Sequence, residues 1–245
     1  MKSKLLKIAA AVSAAALIAG GIYFLFHDDL AQKISYEKLK PFMPNVTVLS
    51  VASTEQINKD DKAELKEQVQ ELGQSYDDSI GWIYIPDTNI NYPIMQSEDN
   101  EYYLHRSYDG SYLYSGSIYL DWRCNSDFSG DVNMLYGHNM QNGSMFADVL
   151  NFLNEDYFDS HKYGWLTTED SVYRIEFFSV SQPQSYSGVY NVQRAGDKWL
   201  KKLKSFNVID REIKIEDDDC MISLSTCTNS EGSSRTVLTG KLIEV

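Results

Sequence analysis

A mainly β fold, a barrel or sandwich of many short strands, is predicted by three features of this 245-residue chain. Short runs of alternating apolar residues recur from residue 79 onward, Pro, Gly and Asp punctuate them as tight turns would, and only two helical patterns interrupt the series. The length suffices for one good core with a small appendage.

The first element is not part of that core. Lys2, Lys4 and Lys7 precede an uncharged stretch over 8–26 in which Ser13 is the only distinctly polar side chain. Nineteen helical residues span about 28 Å, close to the hydrocarbon thickness of a bilayer. A cleaved signal peptide is the competing reading, but the most apolar part, 22–26, follows the small residues of 9–16 where such a signal turns polar. The expectation is an uncleaved anchor, its lysine-flanked tip cytoplasmic and the remainder outside. This divides the chain into a cytoplasmic tip and transmembrane signal-anchor at 1–26, a juxtamembrane spacer at 27–56, and an extracellular domain at 57–245.

In the spacer, Leu30, Ile34, Leu39 and Phe42 alternate with charges before Pro41 and Pro44 end the pattern, so some helix is expected there. Over 57–76, Leu65, Val69 and Leu72 fall at helical spacing and predict a surface helix packed by that stripe. Strands are then expected around Ile83 and Ile85, around Ile90, Tyr92 and Ile94, and over 117–121, 131–136, 163–167, 172–180, 220–227 and 236–245. Helix is expected over 144–153 and over 192–206, the latter with Trp199, Leu200, Leu203 and Phe206 on one side.

A formal net charge of −13 with no basic stripe excludes a nucleic-acid partner on electrostatic grounds, because the surface repels phosphates. Three cysteines cannot all pair, and Cys220 and Cys227 lie on one predicted strand facing opposite ways. Cys124 and Cys220 read as ordinary small side chains. There is no HExxH, no paired CxxC and no phosphate-binding glycine loop, so neither metal nor cofactor is implied.

Chemistry concentrates late in the chain. In the run 220–227, Ile222, Leu224 and Thr226 share one face while Ser223, Ser225 and Cys227 share the other, which puts a thiol at a strand end on the less apolar side. A thiol needs a partner to take its proton, and His138 in Tyr136-Gly137-His138-Asn139 is the candidate. Arg235, eight residues past Cys227, offers a planar cation for an oxyanion or a peptide backbone. Arg123 and Arg106 are its rivals. Ser225, on the thiol's face, is read as bonding substrate or the arginine, with Thr226 beside it; Tyr136 and Asn139 flank His138 and are read as orienting it. Asp131 lies too far along its strand to act as a third member.

The ordered set of Gly81-Trp82-Ile83-Tyr84-Ile85-Pro86, His138, Leu224-Ser225-Thr226-Cys227 and Arg235 resembles the sortase family, whose histidine, cysteine and arginine match His138, Cys227 and Arg235 one by one. The resemblance runs from about residue 79 to 245. It implies an eight-stranded sortase-type barrel, and the N-terminal helices with a helix between the sixth and seventh strands point to class B. It further implies a transpeptidase that cleaves the C-terminal sorting signal of secreted proteins after Thr, of the type Asn-Pro-x-Thr-x or Ser-Pro-x-Thr-x, through a thioacyl intermediate, and joins them to a peptidoglycan amine. A pilin-polymerising sortase and an inactive anchored binding module on the same scaffold are the rival readings. The first lacks its Asp-Pro-aromatic lid motif here, and the second fits poorly with all three residue types present. A papain-like protease would carry its cysteine before its histidine, which is the reverse of the order found.

Overall fold

The computed structural model describes residues 28–51, 57–193, 196–229 and 232–245, together with Ser13 and Gly20. The anchor expected over 8–26 lies outside the described residues. Among the described residues no helix is long and apolar enough to cross a membrane.

Two compact units divide after Pro41. In the first, helix α1 covers 28–39. The second holds helices α2 (Val46–Val51), α3 (Lys59–Ser75), α4 (Glu155–Ser160) and α5 (Asp197–Lys204). Among the described residues its nine strands are β1 (Ser79–Tyr84), β2 (Asn91–Met95), β3 (Ile118–Leu120), β4 (Val132–Tyr136), β5 (Tyr163–Thr167), β6 (Val172–Ser181), β7 (Asn207–Asp210), β8 (Met221–Cys227) and β9 (Arg235–Glu244).

Eight of these strands close on themselves. The order is β5-β1-β2-β3-β4-β8-β9-β6, and β5 pairs again with β6 to complete the ring. The long strand β6 makes closure possible: one edge pairs with β9 throughout, while the other pairs with β5 over Val172–Glu176 and then with β7 over Ser179–Ser181. β7 is therefore a ninth strand, hung on the end of β6 that extends past the closure.

Alternation along the strands sorts the core into two bodies. Ile222 and Leu224 of β8, Leu135 of β4 and Leu238 of β9 point into the barrel with Ile83, Ile94, Leu166 and Phe177. Val132 and Met134 of β4, Met221 of β8 and Val237 of β9 point outward, where Trp199 and Leu203 of α5 cover them. Each such fully buried side chain contributes about 1.5–3 kcal/mol of transfer free energy. α3 starts on an Asn58 side chain that accepts from the Asp61 N–H at 2.9 Å, and it buries the expected stripe Leu65, Val69 and Leu72.

Three local expectations are refined. The helix expected over 144–153 is a 3₁₀ helix over Ala147–Leu153 followed by the separate short α4. The helix expected over 192–206 is the eight-residue α5, preceded by a 3₁₀ turn at Gly188–Tyr190. β7 was not among the expected strands.

Candidate active site

Three neighbouring strands, β4, β8 and β9, carry His138, Cys227 and Arg235 to one rim of the barrel. β4 and β8 are parallel, with Tyr136 opposite Ser225, so both chains leave the sheet at the same end. Their pairing continues past β4: the Gly137 N–H donates to the Ser225 carbonyl at 3.2 Å, the Thr226 hydroxyl to the Gly137 carbonyl at 2.8 Å, and the Asn139 side-chain amide to the Cys227 carbonyl at 3.1 Å. Gly137 is required between them, because a Cβ there would lie 2.5 Å from Ile118 Cδ1 and 2.8 Å from the Phe146 ring. β8 and β9 are antiparallel with Cys227 directly opposite Arg235. The strand carrying the thiol thus lies between the other two.

Arg235 is held from both sides. Its backbone N–H donates to the Pro183 carbonyl at 2.9 Å, and its guanidinium Nη1 donates to the Ser234 carbonyl at 3.1 Å. The loop between β8 and β9 is laced to the chain after β6 through Ser185 N–H to Ser233 O and a Gln184–Ser234 bridge.

Among the described residues His138 has no carboxylate partner. Its Nε2 lies 2.9 Å from the Leu104 carbonyl, which can only accept, so in the neutral ring Nε2 carries the proton and Nδ1 is the basic nitrogen. The ring stacks on His105, with centroids 5.2 Å apart. Burial lowers its pKa below 6.5, His105 adds to that, and the Leu104 carbonyl opposes both without reversing them. The resting imidazole is neutral and able to accept a proton.

These groups line a cleft of about 360 Å³ together with Leu104, Tyr119, Arg123, Tyr190, Ser185, Ser225 and Thr226. Ser225 shares the outward face with Cys227, as expected, and its hydroxyl meets the Tyr190 hydroxyl at 2.9 Å. The Thr226 hydroxyl is taken up by the Gly137 carbonyl. Tyr136 and Asn139 flank His138, but the Tyr136 hydroxyl donates to Asp121 at 2.8 Å and the Asn139 amide goes to Cys227 O; the imidazole is oriented by Leu104 instead. Of the rival arginines, Arg123 lines the cleft but is engaged with Asp121, and Arg106 stacks on Tyr102. Cys124, Cys220 and Cys227 are all free thiols, and burial pushes Cys124 up to about 11. Among the described residues no group of three or more His, Cys, Asp or Glu could hold a metal.

Sequence reasoning missed Leu104, Tyr119, Ser185 and Tyr190. Leu104 acts through its backbone carbonyl, which no side-chain motif reports, and Ser185 and Tyr190 come from an irregular segment brought over by β6.

Comparison with known proteins agrees with this geometry. A sortase domain model matches residues 83–243. Sortase B of Listeria monocytogenes is 32% identical over 200 residues, covering 78% of this chain and 79% of that protein. The structure of Clostridium perfringens sortase B is 31% identical with a TM-score of 0.66, covering 71% of this chain and 98% of that one. A Staphylococcus aureus sortase B–substrate complex shares the fold with a TM-score of 0.74 at 24% identity, covering 89% of this chain and 99% of that one.

Proposed function

The chain belongs to the sortase family of cysteine transpeptidases, class B, and from that premise we propose that it cleaves the C-terminal sorting signal of secreted proteins after Thr and transfers them to a peptidoglycan amine. The observation that carries this reading is the order of the strands: β8, which ends in the free thiol of Cys227, lies between β4, which leads into the neutral imidazole of His138, and β9, which opens with Arg235.

In the first half-reaction His138 Nδ1 takes the Cys227 proton and the sulfur attacks the Thr carbonyl carbon. Arg235 stabilises the charge that develops on the carbonyl oxygen. The C–N bond then breaks, His138 returns the proton to the leaving amine, and a thioester remains on Cys227. In the second half-reaction the acceptor amine attacks the thioester, His138 takes its proton, the C–S bond breaks, and His138 passes that proton to the departing sulfur to regenerate the thiol and the neutral imidazole. The walled cleft keeps water from competing for the thioester. The segment 8–26 would tether the domain outside a membrane, beside both the secreted client and the wall.

The test is mass spectrometry of the 57–245 domain with a library of sorting-signal peptides of the Asn-Pro-x-Thr-x and Ser-Pro-x-Thr-x types and an added amine. Cleavage after Thr, with an adduct on Cys227 that is absent in Cys227→Ala, supports the reading. An adduct on Cys124 or Cys220, or no cleavage of any peptide, overturns it.

A further inference from the structure

We infer that Asp121 and Arg123 are positioning residues for the transpeptidation: as an ion pair they hold Tyr190, and with it the wall of the cleft beside Cys227. The inference rests on the function proposed above and concerns residues to which that mechanism gives no role.

Asp121 follows β3 directly and is 0% exposed. Its two oxygens are fully engaged. Oδ1 accepts from Arg123 Nε at 2.8 Å and from the Arg123 backbone N–H at 3.0 Å; Oδ2 accepts from Arg123 Nη2 at 2.6 Å, Tyr136 Oη at 2.8 Å and Asn100 Nδ2 at 3.0 Å. Burial pushes this carboxyl up, yet those bonds outweigh it and hold it below the usual carboxylate range. The charge is therefore kept in a place where water cannot reach it.

Nη2 of Arg123 donates a second time, to the Tyr190 carbonyl at 3.0 Å. The preceding carbonyl, that of Val189, accepts from Trp199 Nε1 at 2.8 Å, so two successive peptide groups of the wall are pinned, one to the sheet side and one to α5. The Tyr190 ring lies over Tyr136 with centroids 6.2 Å apart and an interplanar angle of 20°, and its hydroxyl reaches Ser225. Tyr136 and Ser225 are register partners on β4 and β8. The contacts thus close a ring: Asp121, Arg123, Tyr190, Ser225, Tyr136 and back to Asp121.

A buried ion pair adds little net stability, because desolvation offsets most of the attraction. What this one supplies is direction. A planar guanidinium with three fixed N–H vectors holds the carboxylate bidentately and the Tyr190 carbonyl at once, a geometry that the shorter, tetrahedral ammonium of lysine does not reproduce. Among the described residues no strand pairs with Tyr190, so this link, with the Val189–Trp199 bond, sets how far the wall lies from the thiol.

Arg123→Lys separates the two tasks. It keeps a cation beside the buried carboxylate and gives up the second bond to Tyr190. Amide hydrogen exchange of residues 188–192 should quicken by about tenfold while exchange in β4 and β8 is unchanged. KM for a sorting peptide should rise about fivefold, the equivalent of one hydrogen bond, with kcat nearly unaltered. Tyr190→Phe should raise KM when made alone and add nothing further in the Arg123→Lys background. Unchanged exchange at 188–192, an unchanged KM, or losses that multiply in the double variant would each overturn the inference. If the wild-type domain cleaves no sorting peptide, the proposed function fails while faster exchange in Arg123→Lys still supports the link to Tyr190. Should Arg123→Lys not fold, Tyr190→Phe carries the KM measurement alone, and an unchanged value counts against the inference.

Discussion

Asn139 donates its side-chain amide to the Cys227 carbonyl at 3.1 Å, fastening the loop after His138 to the residue that bears the thiol. With the Gly137–Ser225 and Thr226–Gly137 bonds, it carries the β4–β8 pairing past the end of the sheet. In the proposed mechanism, the spacing between thiol and imidazole is thereby constrained by the pairing of the two strands together with these side-chain bonds.

Removing that fastening should cost turnover and spare binding. Asn139→Ala deletes one hydrogen bond at the site, and kcat for peptide cleavage is expected to fall about fivefold with KM nearly constant. Wild-type kcat in this variant would mean that the two remaining bonds set the spacing by themselves.

Gly116 should prove intolerant for two separable reasons. Its φ is +60°, and a Cβ there would collide with the Leu104 and Tyr103 carbonyl oxygens, the first of which orients His138. Gly143 has φ +80° but only Asn89 Nδ2 nearby, at 3.7 Å. Both alanine variants are expected to lose about 1 kcal/mol of stability from the positive φ in urea titrations, and Gly116→Ala more, because the colliding backbone must shift. Only Gly116→Ala should also lose activity in the folded population. Equal activity in the two would dissociate Leu104 from the imidazole's function.

Arg235→Lys keeps the charge and loses the planar fork. Turnover is expected to drop at least tenfold, about 1.4 kcal/mol of transition-state stabilisation. A near-normal rate would assign Arg235 a diffuse electrostatic role.

His138 also predicts a pH dependence of stability. Its folded pKa lies below 6.5, so as pH falls the unfolded chain binds a proton before the folded chain does. Its contribution is therefore complete above pH 6.5 and is lost as pH falls from there through the lower folded value. Urea midpoints measured from about pH 7.5 to about pH 5.5 should decline less steeply in His138→Asn than in the wild type. Parallel slopes would show that the imidazole titrates alike in both states.

Much of this arrangement could be read from the chain because period-two patterns report which face of a strand is buried. The alternation over 220–227 correctly separated Ile222 and Leu224, inside the barrel, from Ser225 and Cys227 on the cleft side. β7 escaped because Asn207–Asp210 is only four residues long and packs a single apolar side chain, Ile209, on the core, while Val208 is 51% exposed. α4 is a six-residue helix whose strongest mark is the Asn154 cap, too little for periodicity to register. Leu104 and Tyr190 join the cleft through long-range closure of the chain; Leu104 bonds through its main-chain oxygen, of which residue type carries no trace, and Tyr190 meets Ser225 from a distant segment that no local pattern marks.

The parallel pairing of β4 with β8 has a consequence for engineering. Since both strands exit at one rim, the reactive groups are registered by the sheet itself, and the wall around Tyr190 arrives from a separate segment of the chain. Exchanging that segment between relatives, while retaining Asp121 and Arg123 as its mooring, offers a route to altered peptide preference on an unaltered chemical chassis.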